Sequence, residues 1–291
     1  MRHILAAIAV ALSPITAAAD VIYTVNWPLF SFANAIADGR VEVVFPAPLD
    51  VDPAYWTPDA DTLLAYQRAD LVLLNGAGYA KWVEDAGLPR SRLVDTTQDV
   101  RDRLIEMDSG PVHSHGPDGA HSHGGGLAFT TWLDPDIARA QAQATYDAMA
   151  RRWPEHAETF AAGHAVLDRQ LAEIDAELHA AFAPLRGRSV LASHPVYQYL
   201  GRAVDLDLIS FHWEPDRTPG QEEWARLDAA VEERNATIML WEDSPTPETI
   251  ELLDERNVKV VVLPPLGNRP THADTSMPDV LRNYVDGISS N

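Results

Sequence analysis

The fold is decided by residues 160–182, which read FAAGHAVLDRQLAEIDAELHAAF. Apolar side chains recur along this stretch at spacings of three and four, the period of one face of an α-helix. His164 lies on the same face and is expected to pack there rather than to bind a ligand. Such a helix is long for a globular protein, so we expect it to connect two halves of the chain. The apolar stripe consists of Phe160, Leu167, Leu171, Ile174, Leu178 and Phe182.

Short β-branched runs alternate with helical stretches on both sides of that helix, a rhythm typical of parallel sheets covered by helices. Strands are expected at 21–25, 41–45 and 71–74 before the helix, and at 189–192, 237–241 and 258–263 after it. The sequence therefore predicts an α/β protein with two lobes. Each lobe is expected to be a mainly parallel sheet flanked by helices, and one long rigid helix is expected to join them.

The chain has 291 residues, which is sufficient for two hydrophobic cores. We place the N-terminal lobe at residues 20–154, the linking helix at 155–185 and the C-terminal lobe at 186–291. Asp134 followed by Pro135 predicts a helix start, because an Asp side chain caps the first turn and Pro fits its first position.

The composition is acidic and lacks cysteine. Asp and Glu number 43 against 22 Lys and Arg, and the net charge is -21. This balance argues against nucleic acid and anionic membrane surfaces as partners and favours cations. Because there are 0 Cys residues, any metal has to be held by nitrogen and oxygen ligands.

Residues 1–19 have the pattern of a removable signal peptide. Arg2 gives a positive start, an apolar run follows, and Ala17 to Ala19 precede Asp20 as small residues before a cleavage site. The apolar run is shorter than the roughly 20 residues that span a bilayer. We therefore expect a periplasmic protein without membrane insertion.

A segment rich in Gly and His occupies 108–126 and shows no apolar period, so it is expected to be a mobile loop of the N-terminal lobe. It contains two His-x-His pairs. Imidazole is a good ligand for zinc, copper and nickel, and two such pairs can supply a four-coordinate site. The candidate ligands in this loop are His113, His115, His121 and His123.

Further candidate ligands follow the predicted strands of the C-terminal lobe. In open parallel sheets, ligands bind at the carboxyl ends of the strands. His194 follows one strand and precedes Pro195, which predicts that it caps a new helix and that its ring stays neutral. The other candidates at this edge are Glu242, Asp274, His272 and His212.

Motifs of catalysis are missing from the sequence. It has no Gly-x-Ser-x-Gly elbow, no phosphate-binding glycine loop with Lys, and no His-Glu-x-x-His. We therefore expect a binding protein and not an enzyme.

Five segments together resemble the solute-binding proteins of bacterial ABC importers for zinc and manganese, the zinc-uptake branch in particular. The resemblance extends over the whole chain after residue 19, and a His-rich segment before Trp132 is typical of the zinc members. The five segments are Val51-Asp52-Pro53 with Pro58, Ala69-Asp70-Leu71-Val72 before Asn75-Gly76, Trp132-Leu133-Asp134-Pro135, Ser193-His194 with Tyr197 and Leu200, and Pro265-Leu266-Gly267 before Asp274.

The resemblance implies a metal bound between two lobes, a nearly rigid linking helix, and delivery to an ABC permease by a monomer. The transported ion would be Zn²⁺, with Mn²⁺ or another divalent metal as the alternative. Of the family's usual ligands, the resemblance carries over His194 and Asp274. The other two histidines are replaced, by Ala54 after Asp52-Pro53 and by Thr130 before Trp132.

Three interpretations can account for the two missing ligands. In the first, which we favour from the sequence, histidines of the 108–126 loop enter the cleft and replace the missing ligands. If they do not enter the cleft, we expect the loop to collect metal ions near it. In the second, His212, Glu242 or His272 completes a site with His194 and Asp274.

In the third, the cleft binds a metal chelate or an organic ligand on aromatic rings. The candidate rings are Tyr55, Trp56, Phe129, Trp132, Trp213 and Trp241. An alternative of another class is a periplasmic zinc buffer or metallochaperone without a permease.

Overall fold

The structure is a computed structural model. It describes residues 20–107, 112–114, 120–122, 126–270 and 275–289, and of 112–114 and 120–122 it describes the backbone. The predicted signal peptide, residues 1–19, lies outside the described residues.

The N-terminal lobe contains strands β1 (Val21–Thr24), β2 (Glu42–Val44), β3 (Leu71–Leu74) and β4 (Leu93–Asp95), with helices α1 (Trp27–Ala37) and α2 (Ala60–Arg68). All strand pairs are parallel, in the order β2-β1-β3-β4. The β3 residues Leu71, Val72 and Leu73 are buried, as expected for a central strand covered on both faces.

The His-rich segment includes a two-stranded hairpin, in which β5 (Val112–Ser114) pairs antiparallel with β6 (Ala120–Ser122). The two similar tripeptides pair with each other, and the expectation that 108–126 is a mobile loop stays a prediction. At its base, Met107 N donates to Gly126 O over 2.8 Å.

Helices α3 (Pro135–Arg152) and α4 (Ala157–Phe182) follow. The side chain of Asp134 accepts hydrogen bonds from the first-turn amides of α3, so the predicted cap is confirmed. Helix α4 packs against α1 and α3 of the N-terminal lobe and reaches the last helix of the chain. Every apolar residue of its predicted stripe is buried, whereas His164 is half-buried and stacks on Tyr146 at 5.0 Å between ring centroids.

The C-terminal lobe contains strands β7 (Ser189–Ala192), β8 (Asp207–Ser210), β9 (Ile238–Trp241) and β10 (Lys259–Val262), with helices α5 (Gln198–Ala203), α6 (Gln221–Arg234), α7 (Pro247–Asp254) and α8 (Met277–Ser289). Its strands are parallel in the order β10-β9-β7-β8. The predicted fold class, two parallel-sheet lobes joined by a long helix, is confirmed. Strands β4 and β8 were not predicted, because each carries only two apolar residues.

A second connection ties the lobes together. After β10 the segment 264–270 returns to the N-terminal lobe, where Gly267 O accepts from Trp27 N over 3.0 Å. The indole of Trp132 donates to Pro265 O over 2.7 Å. The lobes therefore meet both along α4 and along this segment, and a cleft lies between them.

Helix α4 lies close to the backbone of α1 at Gly163. A Cβ at this position would lie 2.7 Å from Ala35 O and 2.9 Å from Ile36 O, and both atoms belong to the backbone. Although Ala is favoured over Gly in helices by about 1 kcal/mol, we expect Gly163→Ala to lower the free energy of unfolding by about 1 to 3 kcal/mol. Urea unfolding followed by circular dichroism measures this difference.

Gly287 in α8 is the matched control. A Cβ there would meet Leu263 and Val261 at 3.6 and 3.8 Å, which is ordinary contact. Gly287→Ala should therefore leave stability unchanged or raise it. A Gly163→Ala variant as stable as the parent chain would show that α1 and α4 are less closely packed than described.

Within the described residues, no helix combines the length and the apolar character that crossing a bilayer requires.

Candidate metal centre

Three adjacent strands of the C-terminal lobe end beside one another, and each is followed by a His or Glu side chain. His194 follows the central strand β7, Glu242 follows β9, and Glu214 follows β8. The pairing continues beyond the strands, since Ser193 N donates to Leu240 O over 2.8 Å and Trp213 N donates to Ser193 O over 2.9 Å. Because the carboxyl ends of parallel strands share one edge, three residues that are distant in sequence become neighbours.

The three side chains form a compact cluster. Nδ1 of His194 lies 2.8 Å from Oε1 of Glu242, and its Nε2 lies 3.6 Å from Oε1 of Glu214. One ligand atom from each residue can be chosen so that all three lie within 4.8 Å of one another. The His194 side chain is 1% exposed, whereas Glu214 and Glu242 are 24% and 21% exposed. The imidazole is thus held in the interior between two carboxylates that reach solvent.

The position of Glu214 follows from the packing of the residue before it. Trp213 is fully buried in the C-terminal core, where its ring lies 4.9 Å from Trp224 and 6.1 Å from Trp241. Side chains alternate between the two faces of an extended segment, so burial of Trp213 places His212 and Glu214 on the opposite face. The buried indole therefore fixes the side of the segment from which Glu214 reaches His194.

The electrostatics of His194 differ from the expectation of a neutral, helix-capping ring. Burial lowers the pKa of His194, but hydrogen bonds and charges from Glu214 and Glu242 outweigh it and raise the pKa to about 9. The cap prediction is wrong too, because α5 begins at Gln198 with Tyr197 as its N-cap. In the metal-free protein at neutral pH the ring is an imidazolium between two carboxylates.

The cluster has the chemistry of a divalent cation site. When His194 loses its proton, two carboxylates and a neutral nitrogen remain, so a cation of charge +2 neutralises them completely. Tetrahedral zinc with bonds of about 2.0 Å holds its ligand atoms about 3.3 Å apart. Because Glu242 faces Nδ1 of His194 and Glu214 faces Nε2, one carboxylate has to turn toward the nitrogen that binds the ion. Three protein ligands leave the fourth position open to an external ligand.

His212 lies beside the cluster without being part of it. Its ring centroid is 5.9 Å from that of His194, with the rings nearly perpendicular. His272 and Asp274 lie outside the described residues, so their placement stays a prediction.

Of the four loop histidines, His115 and His123 also lie outside the described residues. His113 and His121 occupy opposite positions in the β5–β6 pairing. That register places the two residues next to each other in the hairpin, and a role for them as ligands stays a prediction.

The positions of the two missing family ligands lie in the N-terminal lobe and are buried. Ala54 has no ligand atom in its side chain, and its residue is 7% exposed. Thr130 donates its hydroxyl to Val196 O over 2.6 Å. That hydroxyl is therefore engaged in holding the N-terminal lobe against the segment that follows His194.

A cavity of about 580 Å³ lies between the lobes. His194 and Glu242 line it from the C-terminal lobe, and Tyr55, Phe129 and Trp132 line it from the N-terminal lobe. The other three candidate rings do not line it: Trp213 and Trp241 belong to the C-terminal core, and Trp56 packs against the main core. Three of the six predicted aromatic residues thus face the cleft, and the other three pack in the hydrophobic cores.

Glu214 is the cluster member that sequence reasoning missed. The usable signal was the tripeptide His212-Trp213-Glu214, in which a large apolar residue separates two polar residues that share a face. It was missed because β8 was not predicted, and without β8 nothing places this tripeptide beside His194.

Comparisons with known proteins identify the family of the chain. The family described as "Zinc-uptake complex component A periplasmic" matches residues 22–291. A relative named "Zinc-binding protein AdcA" from Streptococcus pyogenes is 25% identical over 259 residues, which is 84% of this chain and 50% of the relative. The chain therefore spans about half the length of the AdcA proteins it matches.

A second relative, "High-affinity zinc uptake system protein ZnuA" of Yersinia pestis, is 24% identical over 273 residues, covering 88% of this chain and 86% of the relative. Among solved structures, that of the metal-dependent lipoprotein YcdH from Bacillus subtilis has a TM-score of 0.79 at 17% identity, covering 94% of this chain and 99% of that one. This structural likeness supports the fold. From the family match over nearly its full length, the chain belongs to the periplasmic component A proteins of zinc-uptake complexes.

Proposed function

We propose that this chain is a periplasmic solute-binding protein that captures Zn²⁺ on His194, Glu214 and Glu242 for an ABC importer. The observation that carries this proposal is the convergence of one buried imidazole and two carboxylates within 4.8 Å at the carboxyl edge of a parallel sheet. The family's description and the names of its zinc relatives support the same ion.

The ligand set favours zinc over other divalent ions by its chemistry. Imidazole suits zinc, whereas carboxylates also accept manganese, and affinity for a given site rises from manganese to zinc. Mn²⁺ is therefore expected to bind the same cluster more weakly. Of the three interpretations of the missing ligands, the geometry favours the second in part, because Glu242 lies beside His194 in the C-terminal lobe.

The proposal includes delivery of the ion by a monomer to the permease of an importer, without chemical conversion of a substrate. The periplasmic location and the transport role rest on the family description. Because α4 and the segment 264–270 both tie the lobes, release is expected to involve cleft-lining segments rather than a wide hinge opening.

The test is a zinc titration of the Glu214→Gln variant. Four ligands of a structural zinc site share about 10 to 16 kcal/mol, so one ligand accounts for about 3 kcal/mol, or about 100-fold in affinity. We expect Glu214→Gln to weaken zinc binding by about this factor, because the amide keeps the size but loses the charge. Competition with a chromophoric chelator of known affinity measures the change.

Glu232→Gln, on the exposed face of α6, is the matched control and should bind zinc like the parent chain. Deletion of residues 112–124 is the second arm. Tight binding by the deleted chain together with weak binding by Glu214→Gln supports the site in the C-terminal lobe. The reverse pattern would assign the ion to the loop histidines and overturn the proposed ligand set.

A further inference from the structure

The inter-lobe cavity is much larger than a metal ion requires. Its volume of about 580 Å³ falls in the range of sites for small organic molecules, about 300 to 1,000 Å³. One water occupies about 30 Å³ in the liquid, so an ion with a few waters fills only a part of this space. The rest of the cavity is available to a second component that arrives with the ion.

The wall opposite His194 and Glu242 is aromatic. The ring of Phe129 lies 5.3 Å from that of Tyr79 and 6.1 Å from that of Tyr55, in edge-to-face contacts. Tyr79 in turn lies 5.8 Å from Trp132. All four rings line the cavity, and they form a continuous apolar surface that suits a planar organic ring.

A buried polar atom on the same wall also points to an organic partner. Tyr79 is 8% exposed, it lines the cavity, and its hydroxyl has no hydrogen-bond partner among the described residues. A buried hydroxyl without a partner is unfavourable, so such groups are normally paired. The hydroxyl oxygen itself is enclosed, so a ligand's acceptor oxygen would pair with it after a small movement of the Tyr79 ring.

The metal cluster leaves room for donors from a ligand. Three protein groups occupy three positions of a tetrahedral zinc ion, and zinc accepts a fifth ligand when the fourth position is open. A bidentate nitrogen and oxygen chelator can fill these positions from the cavity side. Arg269 also lines the cavity, but its guanidinium donates to Phe45 O and stacks on the Phe45 ring, so the chelator's carboxylate is assigned to the zinc alone.

We propose that the cleft receives zinc together with a small, planar aromatic chelator that carries a nitrogen and a carboxylate donor. The zinc is held by the cluster, and the ring of the chelator lies against Phe129 and Tyr79. This inference rests on the proposed function, because the cluster has to bind zinc for the ternary complex to form.

The experiment uses picolinate, an aromatic ring with one nitrogen and one carboxylate oxygen as donors. Zinc titration without chelator comes first, and a chain that binds no zinc overturns the proposed function itself. Equilibrium dialysis of picolinate against the zinc-loaded and the zinc-free chain follows. We expect one picolinate and one zinc retained per zinc-loaded chain and no picolinate retained by the zinc-free chain.

Two comparisons test the aromatic wall. Pipecolinate also offers one nitrogen and one carboxylate but on a saturated ring, so the change in the ratio of picolinate to pipecolinate affinity between two chains reports contact of the aromatic ring with the wall. Phe129→Leu keeps an apolar side chain of similar size, and we expect it to lower this ratio at least fivefold while the affinity for zinc alone stays unchanged. Tyr79→Phe should weaken picolinate retention severalfold, again without an effect on zinc alone.

Three results would overturn the inference while the proposed function stands. The zinc-loaded chain would retain no picolinate, picolinate would remove zinc from the chain, or the affinity ratio would be the same in the parent and Phe129→Leu chains. Zinc binding by both chains in the first titration shows that the variant is folded, so each of these results is decisive.

Discussion

Replacement of His194 by alanine is expected to weaken zinc binding by about 1,000-fold, the largest effect of any single substitution in the cluster. A ligand of a four-coordinate site contributes about 3 to 4 kcal/mol, which corresponds to about 100- to 1,000-fold in affinity. His194 belongs at the upper end because it supplies the nitrogen ligand and lies between both carboxylates. Metal analysis of the purified chain after dialysis against buffered zinc measures the loss.

The control for this variant is His179→Ala, which removes a partly exposed imidazole on α4 far from the cluster in sequence. It should bind zinc normally. His194→Gln provides a second variant, because it keeps a polar group between Glu214 and Glu242 if the alanine chain melts early. Normal zinc content in both His194 variants would exclude the cluster as the site.

Zinc affinity is expected to rise about tenfold per pH unit between pH 6 and about 8.5. The pKa of His194 is raised to about 9, so zinc has to displace a proton throughout this range. If His194 had the ordinary histidine pKa of about 6.5, zinc affinity would instead level off above that pH. Calorimetry at pH 7 in two buffers of different ionisation enthalpy should therefore show about one proton released per zinc.

The stability of the metal-free chain should change with pH in the opposite direction. Because the pKa of His194 is higher in the folded chain than the unfolded value of about 6.5, the folded state binds the proton more tightly. The resulting stability is fully present below pH 6.5 and is lost as the pH rises toward 9.

As the pH rises from 6.5 toward 9, the melting temperature of the metal-free chain should fall. The increase in melting temperature that zinc produces should become larger over the same range. In the Glu242→Gln variant, His194 keeps only one of its two carboxylate neighbours. The pH dependence of the melting temperature and of its increase by zinc should therefore both be weaker. A zinc affinity that stays constant from pH 7 to 8.5 would contradict an imidazolium at His194.

Local patterns in the sequence were sufficient for the architecture. The apolar period of 160–182 predicted α4, and the Asp134-Pro135 pair predicted the start of α3. Central strands were also predictable, because β3 and β7 consist of consecutive apolar or small residues that a buried parallel strand requires. The edge strands β2 and β10 were predictable from their valines, whereas the edge strands β4 and β8 were not, since their composition does not distinguish them from loops.

The site was only half predictable for the same reason. His194 and Glu242 follow central strands and were found from their position at strand ends, whereas Glu214 follows the edge strand β8. The protonation of His194 was misjudged because both the helix assumed to follow it and its carboxylate neighbours depend on contacts that no local pattern records.

By itself, the sequence determined two lobes, the long helix between them and the absence of histidine at positions 54 and 130. Those features depend on residue type and on spacings of a few positions along the chain. Only the tertiary structure decided which groups surround His194, because the strand order β10-β9-β7-β8 brings the ends of β8 and β9 to either side of β7. Two carboxylates that are distant along the chain thereby become neighbours of one buried ring, and their combined charge is the basis of the proposed divalent-ion site.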